Sequence, residues 1–190
     1  RAGSQRGELL RTLWKSETPY VFWRMPWIGY EYWDPGRQPA ERHLCPELQA
    51  AAIREAVQGF QSIFNTAPQS ACAPGYRADA NTHRAWKACG VQIAQNGANG
   101  IVAPRLDRYG ILNVYRHINF EPALDERFCV QQCVRSAAEC FRRGVPAVVS
   151  IHSINFHSTL KDYRSSTLRF LHEFLTKVEK QFPDLLYVHD

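Results

Sequence analysis

No stretch of this chain is apolar over the ~20 consecutive residues a helix needs to cross a bilayer, so no membrane span is expected. The Gly-x-x-x-x-Gly-Lys-Ser/Thr spacing of a phosphate loop is missing, and so is Gly-x-Gly-x-x-Gly, which removes the usual nucleotide-cradling turns. No two of the six cysteines, at 45, 72, 89, 129, 133 and 140, stand as Cys-x-x-Cys. Free thiols are therefore expected over a disulfide framework, which belongs to shorter secreted domains. The balance of 23 basic to 18 acidic residues gives a net charge of +5 and a pI near 9.0. The basic residues are scattered, with no basic helix, arginine-rich tract or zinc-finger spacing, so no nucleic-acid partner is expected. Internal repeats and low-complexity tracts are also lacking. With 45% hydrophobic and 12% aromatic residues among 190, the chain reads as one globular domain able to bury a sizeable core, not as a disordered segment. It begins at Arg1 without a signal-peptide pattern, and is expected to be processed or a piece of a longer protein.

What the chain does contain is organised around Gly144-Val-Pro-Ala-Val-Val-Ser-Ile-His-Ser-Ile-Asn-Phe-His-Ser158. Ala147 to Ile151 is a β-branched apolar run entered through Gly144 and Pro146, the pattern of a strand buried on both faces. In α/β architectures the carboxyl ends of parallel strands open onto the ligand-binding face. His152, Asn155 and His157 have that address.

Other stretches follow the same rule. Ser4 to Lys15 reads as an amphipathic helix and Tyr20 to Arg24 as a strand, followed by an aromatic loop bearing Trp27 and Trp33; Trp23, Trp27 and Trp33 suit stacking on sugar rings or plugging one end of the core. His43 precedes a helix that starts at Pro46, with Leu48, Ala52, Ile53, Ala56, Val57, Phe60 and Ile63 at its 3.6-residue period. Pro74 and Gly75 make a turn that presents Tyr76 and Arg77. A helix capped by Asp79 or Asn81 then runs to Gly90. Val91 to Ala94 and Ile111 to Tyr115 are expected strands, the second ending in Arg116-His-Ile-Asn-Phe-Glu121. Asp125 to Arg143 and Arg164 to Phe182 are expected helices, with Leu168, Leu171, Phe174, Leu175 and Val178 facing inward on the latter, and Leu185 to Val188 is a last strand. Strands alternating with helices imply a parallel sheet with crossover helices, doubly wound or closed into a barrel. His43, Tyr76 with Arg77, Arg116 with His117 and Glu121, and His152 with Asn155 and His157 would then share one face, as the residues of a strand-end active site do.

Taken in order, Ala73-Pro-Gly-Tyr-Arg77, Asn119-Phe-Glu-Pro122, Pro146-Ala-Val-Val-Ser-Ile-His-Ser-Ile-Asn-Phe156 and Phe182-Pro-Asp-Leu-Leu-Tyr187 resemble the polysaccharide deacetylase-like group of distorted (β/α) barrels. The resemblance implies a carbohydrate-active hydrolase that removes acetyl groups from a poly- or oligosaccharide. In such enzymes a divalent metal, usually zinc, activates water and a strand-end His protonates the leaving group. It places His152 as that general acid and His43 as a metal ligand. Tyr76 and Arg77 fall in the substrate groove, and Trp33, His117, Glu121, Asn155 and His157 are further candidates for substrate contact. Two features depart from the pattern. Pro39 stands where the first metal His would be, and no paired aspartates open a strand. The chain is accordingly expected to be a C-terminal portion, with its first βα units missing, or a degenerate relative without the metal. Two alternatives use the same scaffold: a non-catalytic carbohydrate-binding domain, and a metal-free glycoside hydrolase drawing its carboxylates from Glu31, Asp34 and Glu121.

Overall fold

Two of the parallel strand pairs in this chain are joined by a crossover helix, which lets both strands run in one direction. The structure, a computed structural model, describes Tyr32, residues 37–159 and residues 161–188. The expected first helix and strand, the aromatic loop with Trp23, Trp27 and Trp33, and Glu31 and Asp34 lie outside the described residues.

Helix α1 (Pro46–Phe64) begins with Pro46 in its first turn and ends on Asn65 in the left-handed conformation, a common helix stop. Strand β1 (Ser70–Cys72) follows, then a short 3-10 turn (Pro74–Tyr76). Helix α2 (Ala80–Ala88) is started by a complete capping box. The Asp79 carboxylate accepts from the backbone of Asn81 and Thr82, and the Thr82 hydroxyl accepts from the Asp79 backbone. Gly90, at φ +86°, ends it. Next come β2 (Ile93–Gly97), β3 (Arg105–Leu106), β4 (Leu112–Arg116) and β5 (Ile118–Asn119). Helix α3 (Val130–Arg142), β6 (Val149–Ser150), a 3-10 turn (Ser153–Phe156) and helix α4 (Arg164–Gln181) follow, and a further 3-10 turn (Pro39–Glu41) precedes α1.

The fold is mixed α/β, with parallel strands alternating with helices. One sheet has the order β1-β2-β4-β3, parallel except for the antiparallel β3, and a second pairs β5 with β6 in parallel. The described residues fall into two compact units. One holds the larger sheet, with the chain up to His117 and Glu139–Val148; the other holds Ile118–Ala138 and Val149–Leu185.

The sheet unit is built on Ile53, Ala73, Ala85, Trp86, Val91, Ala94 and Ile111, with Tyr32 edge-on to Trp86. The core of the second unit is aromatic: Phe120, fully buried, packs edge-to-face on Phe128 at 4.8 Å and against Phe174 at 5.5 Å. Fully burying a ring of that kind stabilises by roughly 1.5–3 kcal/mol, and here it anchors the residue immediately before Glu121.

Several expectations are corrected. The strand expected over Val91 to Ala94 runs instead over Ile93–Gly97, because Val91 N still bonds back to Trp86 O at the helix end, and Asn96 secures the extension by donating to Asn113 Oδ1 at 2.9 Å. The run from Ala147 to Ile151 contributes only the two residues of β6, and Val149 is exposed. Pro146 has no N–H to donate, and among the described residues only β5 pairs with this segment. Helix α3 starts at Val130 and not at Asp125, which instead turns the chain by accepting from Arg127 N. On α1 the buried face is Gln49 with Ile53; Leu48, Phe60 and Ile63 are exposed. On α4, Thr167, Phe174 and Val178 are buried and Leu168 is exposed. Leu185 to Val188 forms no strand, and Leu186 and Val188 stand in solvent.

Candidate functional site

The parallel register of β5 and β6 sets Asn119 opposite Ser150. Two residues past that pair on each strand come Glu121 and His152, so equal offsets along parallel neighbours deliver a carboxylate and an imidazole to one place. Phe120 fixes the first arm, donating its backbone N–H to Ser150 O at 2.8 Å while its ring fills the aromatic core. The Nδ1 of His152 lies 2.5 Å from Glu121 Oε1. Glu121 is largely buried, with 12% of its side chain exposed, whereas the His152 side chain is 40% exposed. Nε2 of His152 makes no hydrogen bond among the described residues.

Asn155 lies beneath the pair with no exposed surface. Its Nδ2 donates to Glu121 Oε2 at 2.6 Å and to His152 O at 2.9 Å, and its Oδ1 accepts from Ala123 N at 2.9 Å. This residue was expected to meet substrate. Its burial and three internal hydrogen bonds give it a different task, that of holding the other two. Glu121 is likewise spent on its neighbours, with His152 N as a further, longer donor at 3.4 Å. His157 closes the 3-10 turn through its backbone bond to Ile154 O and is half-buried.

A carboxylate on Nδ1 does three things to an imidazole: it orients the ring, selects the tautomer and stabilises the protonated form. The Nε2 of a partly exposed ring so supported can take a proton from water or give one to a leaving atom. The thiols of this unit offer no rival nucleophile in the core, since burial, with Cys129 beside it, pushes the Cys133 thiol up to about 11; a thiol so raised stays protonated near neutrality and unreactive. All six cysteines are free.

The remaining candidates lie in the sheet unit. At the carboxyl ends of β1, β2 and β4, Tyr76 and the preceding Gly75 both take the left-handed backbone conformation, at φ +59° and +60°. A side chain in that region is strained by roughly 1–2 kcal/mol. The turn brings the Tyr76 ring beside Gly97 and under the Arg116 guanidinium, 4.3 Å from ring centroid to Cζ, within cation–π range. Arg77 folds its guanidinium back over Gly75. His117 turns its Nε2 to the backbone of Val102, 3.0 Å from the carbonyl oxygen. A groove of about 480 Å³ lies at the opposite, amino ends of β2 and β4, lined by Lys87, Val91, Ile93, Leu106, Gly110 and Leu112, none of them a candidate site residue.

His43 also belongs to the sheet unit, and its Nδ1 is buried without a hydrogen bond among the described residues, 3.9 Å from Asp79 Oδ2. That carboxylate already caps α2 and accepts from Gln49 Nε2 at 3.4 Å. A catalytic zinc takes three protein ligands and keeps one open position. Among the described residues no three His, Cys, Asp or Glu side chains gather to supply them. His43 and Asp79 alone are one ligand short of such a site among the described residues.

Sequence reasoning missed a second imidazole–carboxylate pair. His83 on α2 and Asp107 in the turn before β4 are 2.6 Å apart, Nδ1 to Oδ2; 24 residues separate them, and neither stands past the end of a long apolar run, the signal that drew attention to the others. No family model, curated protein or solved structure matches this chain, so a functional reading stands on the geometry of Glu121, His152 and Asn155.

Proposed function

We propose that the chain is a carbohydrate-active hydrolase of the deacetylase type on a (β/α) barrel-like scaffold, with His152 as its proton-transfer residue. The observation that supports it is the Glu121–His152 pair, a largely buried carboxylate on Nδ1 of a partly exposed imidazole. In this reading Nε2 takes a proton from water as the water oxygen adds to the acetyl carbonyl carbon. Ionised Glu121 stabilises the resulting imidazolium. The same proton then passes to the leaving oxygen or nitrogen of the sugar as its bond to the acyl carbon breaks, releasing acetate. Glu121 is ill suited to the glycosidase alternative, because His152 and Asn155 already engage both its oxygens.

The test is acetate release from acetylated oligosaccharides by the full chain and by His152→Ala. A positioned acid–base group contributes about 10²–10⁴-fold to rate, and a loss of that size with an unchanged thermal melt is the expected outcome. Survival of deacetylation in the folded variant would overturn the assignment.

A further inference from the structure

The orientation of the Asn155 amide is fixed by its neighbours. Ala123 N–H can only donate and His152 O can only accept, so Oδ1 must face Ala123, at 2.9 Å, and Nδ2 must face His152 O, also at 2.9 Å. The same Nδ2 meets Glu121 Oε2 at 2.6 Å. Whatever stands there has to accept. Oε1, the other end of the carboxylate, is then the group that faces Nδ1 of His152.

We infer that Asn155 is a positioning residue which, through Glu121, dictates that His152 carries its proton on Nδ1 and presents Nε2 as the lone pair. Its relevance to turnover rests on the proposed role of His152, but the tautomer itself can be observed without any activity. In the native chain both carboxylate oxygens are acceptors, so Asn155 acts by holding the carboxylate plane and leaving Nδ1 to donate. An amide at position 121 exposes the constraint. With Glu121→Gln, the amide oxygen must turn to Asn155, its NH₂ must turn to Nδ1, and the imidazole must shift its proton to Nε2. A structural role for Asn155 alone would not invert a tautomer.

The experiment is proton–nitrogen correlation spectroscopy of the histidine rings in the ¹⁵N-labelled full chain, at a pH raised until the His152 ring signals no longer move, with those signals assigned from their loss in His152→Ala. Wild type is expected to show His152 protonated at Nδ1, and Glu121→Gln to reverse the ratio of tautomers at least tenfold toward Nε2–H. Adding Asn155→Ala to Glu121→Gln removes the short donor and leaves only the longer His152 N contact at that end of the amide, and is expected to shift the ratio back toward Nδ1–H. The inference is overturned if Glu121→Gln keeps the wild-type tautomer, or if the double variant is as inverted as Glu121→Gln alone. Should the variants not fold, wild type alone decides, because an Nε2–H or evenly mixed tautomer at His152 also overturns it. An inverted tautomer in a variant that deacetylates at the wild-type rate would sink the hydrolase reading and leave the positioning intact.

Discussion

Two imidazole–carboxylate pairs of nearly equal length stand in the two units of this protein, at 2.6 Å for His83–Asp107 and 2.5 Å for His152–Glu121. They differ in which partner is sunk. In the first the imidazole is the more covered, 15% exposed, and lies tilted against Trp86 with ring centroids 5.1 Å apart. Its carboxylate accepts at Oδ1 from Tyr109 N at 2.8 Å and Ile111 N at 3.0 Å, so the pair clasps α2 to the turn that starts β4. In the second the carboxylate is the covered member and the imidazole reaches solvent. A short contact does not by itself distinguish the two pairs; which partner is covered does.

The sharpest way to break the comparison is to make one chemical change in both pairs. Glu121→Gln and Asp107→Asn each replace an acceptor-only carboxylate by an amide of the same shape. Where an imidazole is the acid–base group, giving it the wrong tautomer costs about 10²–10⁴-fold in turnover, so Glu121→Gln is expected to lose acetate release on that scale with little change in melting temperature. Asp107→Asn should do the reverse. Hydrogen bonds to a charged group contribute about 1.5–3 kcal/mol, and weakening three of them is expected to lower stability in urea by roughly 1–2 kcal/mol with deacetylation retained. If both variants lose activity and neither loses stability, the distinction between the pairs fails.

Acid should distinguish the units next. Burial works against ionisation of Asp107, but the hydrogen bonds from Ile111 N, His83 and Tyr109 N and the charge of His83 outweigh it, leaving the carboxyl below its ordinary 3.8. Asp79 is lowered in the same way: burial opposes, while hydrogen bonds from the Thr82 backbone and hydroxyl and from Gln49, with His43 nearby, prevail. A carboxylate whose folded value is depressed adds stability above its unfolded value, and that stability is lost as pH falls through the folded one. Melting followed from pH 6 to pH 2 is therefore expected to fall most steeply below about pH 4. Asp107→Asn and Asp79→Asn should each flatten that fall, and an unaltered acid limb in both would contradict the assignment.

The alternation of parallel strands with helices was legible because each signal is local. Pro46, Asp79, Gly90 and Pro183 punctuate the chain by backbone geometry alone. His152 was found by the same means, as a polar residue just past an apolar run. Its partner was not identifiable as a partner. Glu121 read as a substrate contact because nothing along the chain states that Asn119 pairs with Ser150; register between strands 31 residues apart is fixed by packing, here by Phe120 in the aromatic cluster. Asn155 illustrates the same limit. An amide in a loop reads as surface, and only its 0% exposure shows it to be internal scaffolding. The buried face of α4 shifted for a related reason: periodicity marks a stripe about half the helix wide, and Thr167, polar by type, took the place that Leu168 was expected to fill.

Thr167 supplies the smallest effect and completes the contrast between buried polar groups. Asn155 and Thr167 are both fully buried in the second unit, yet the first satisfies every polar atom of its side chain while Thr167 Oγ1 has no hydrogen-bond partner among the described residues. A buried hydroxyl without a partner carries the cost of leaving water and nothing to offset it. Thr167→Val keeps the branched shape and deletes that cost, so stability in urea is expected to rise by roughly 0.5–1 kcal/mol. Asn155→Leu, by contrast, strands Ala123 N and takes the short side-chain donor from Glu121 Oε2, which keeps only the longer contact from His152 N, and should destabilise by several times that amount, about 2–4 kcal/mol. Were Thr167→Val to destabilise the chain as Asn155→Leu does, the hydroxyl would have to be bonded in solution, and the two residues would belong to one polar network under the site.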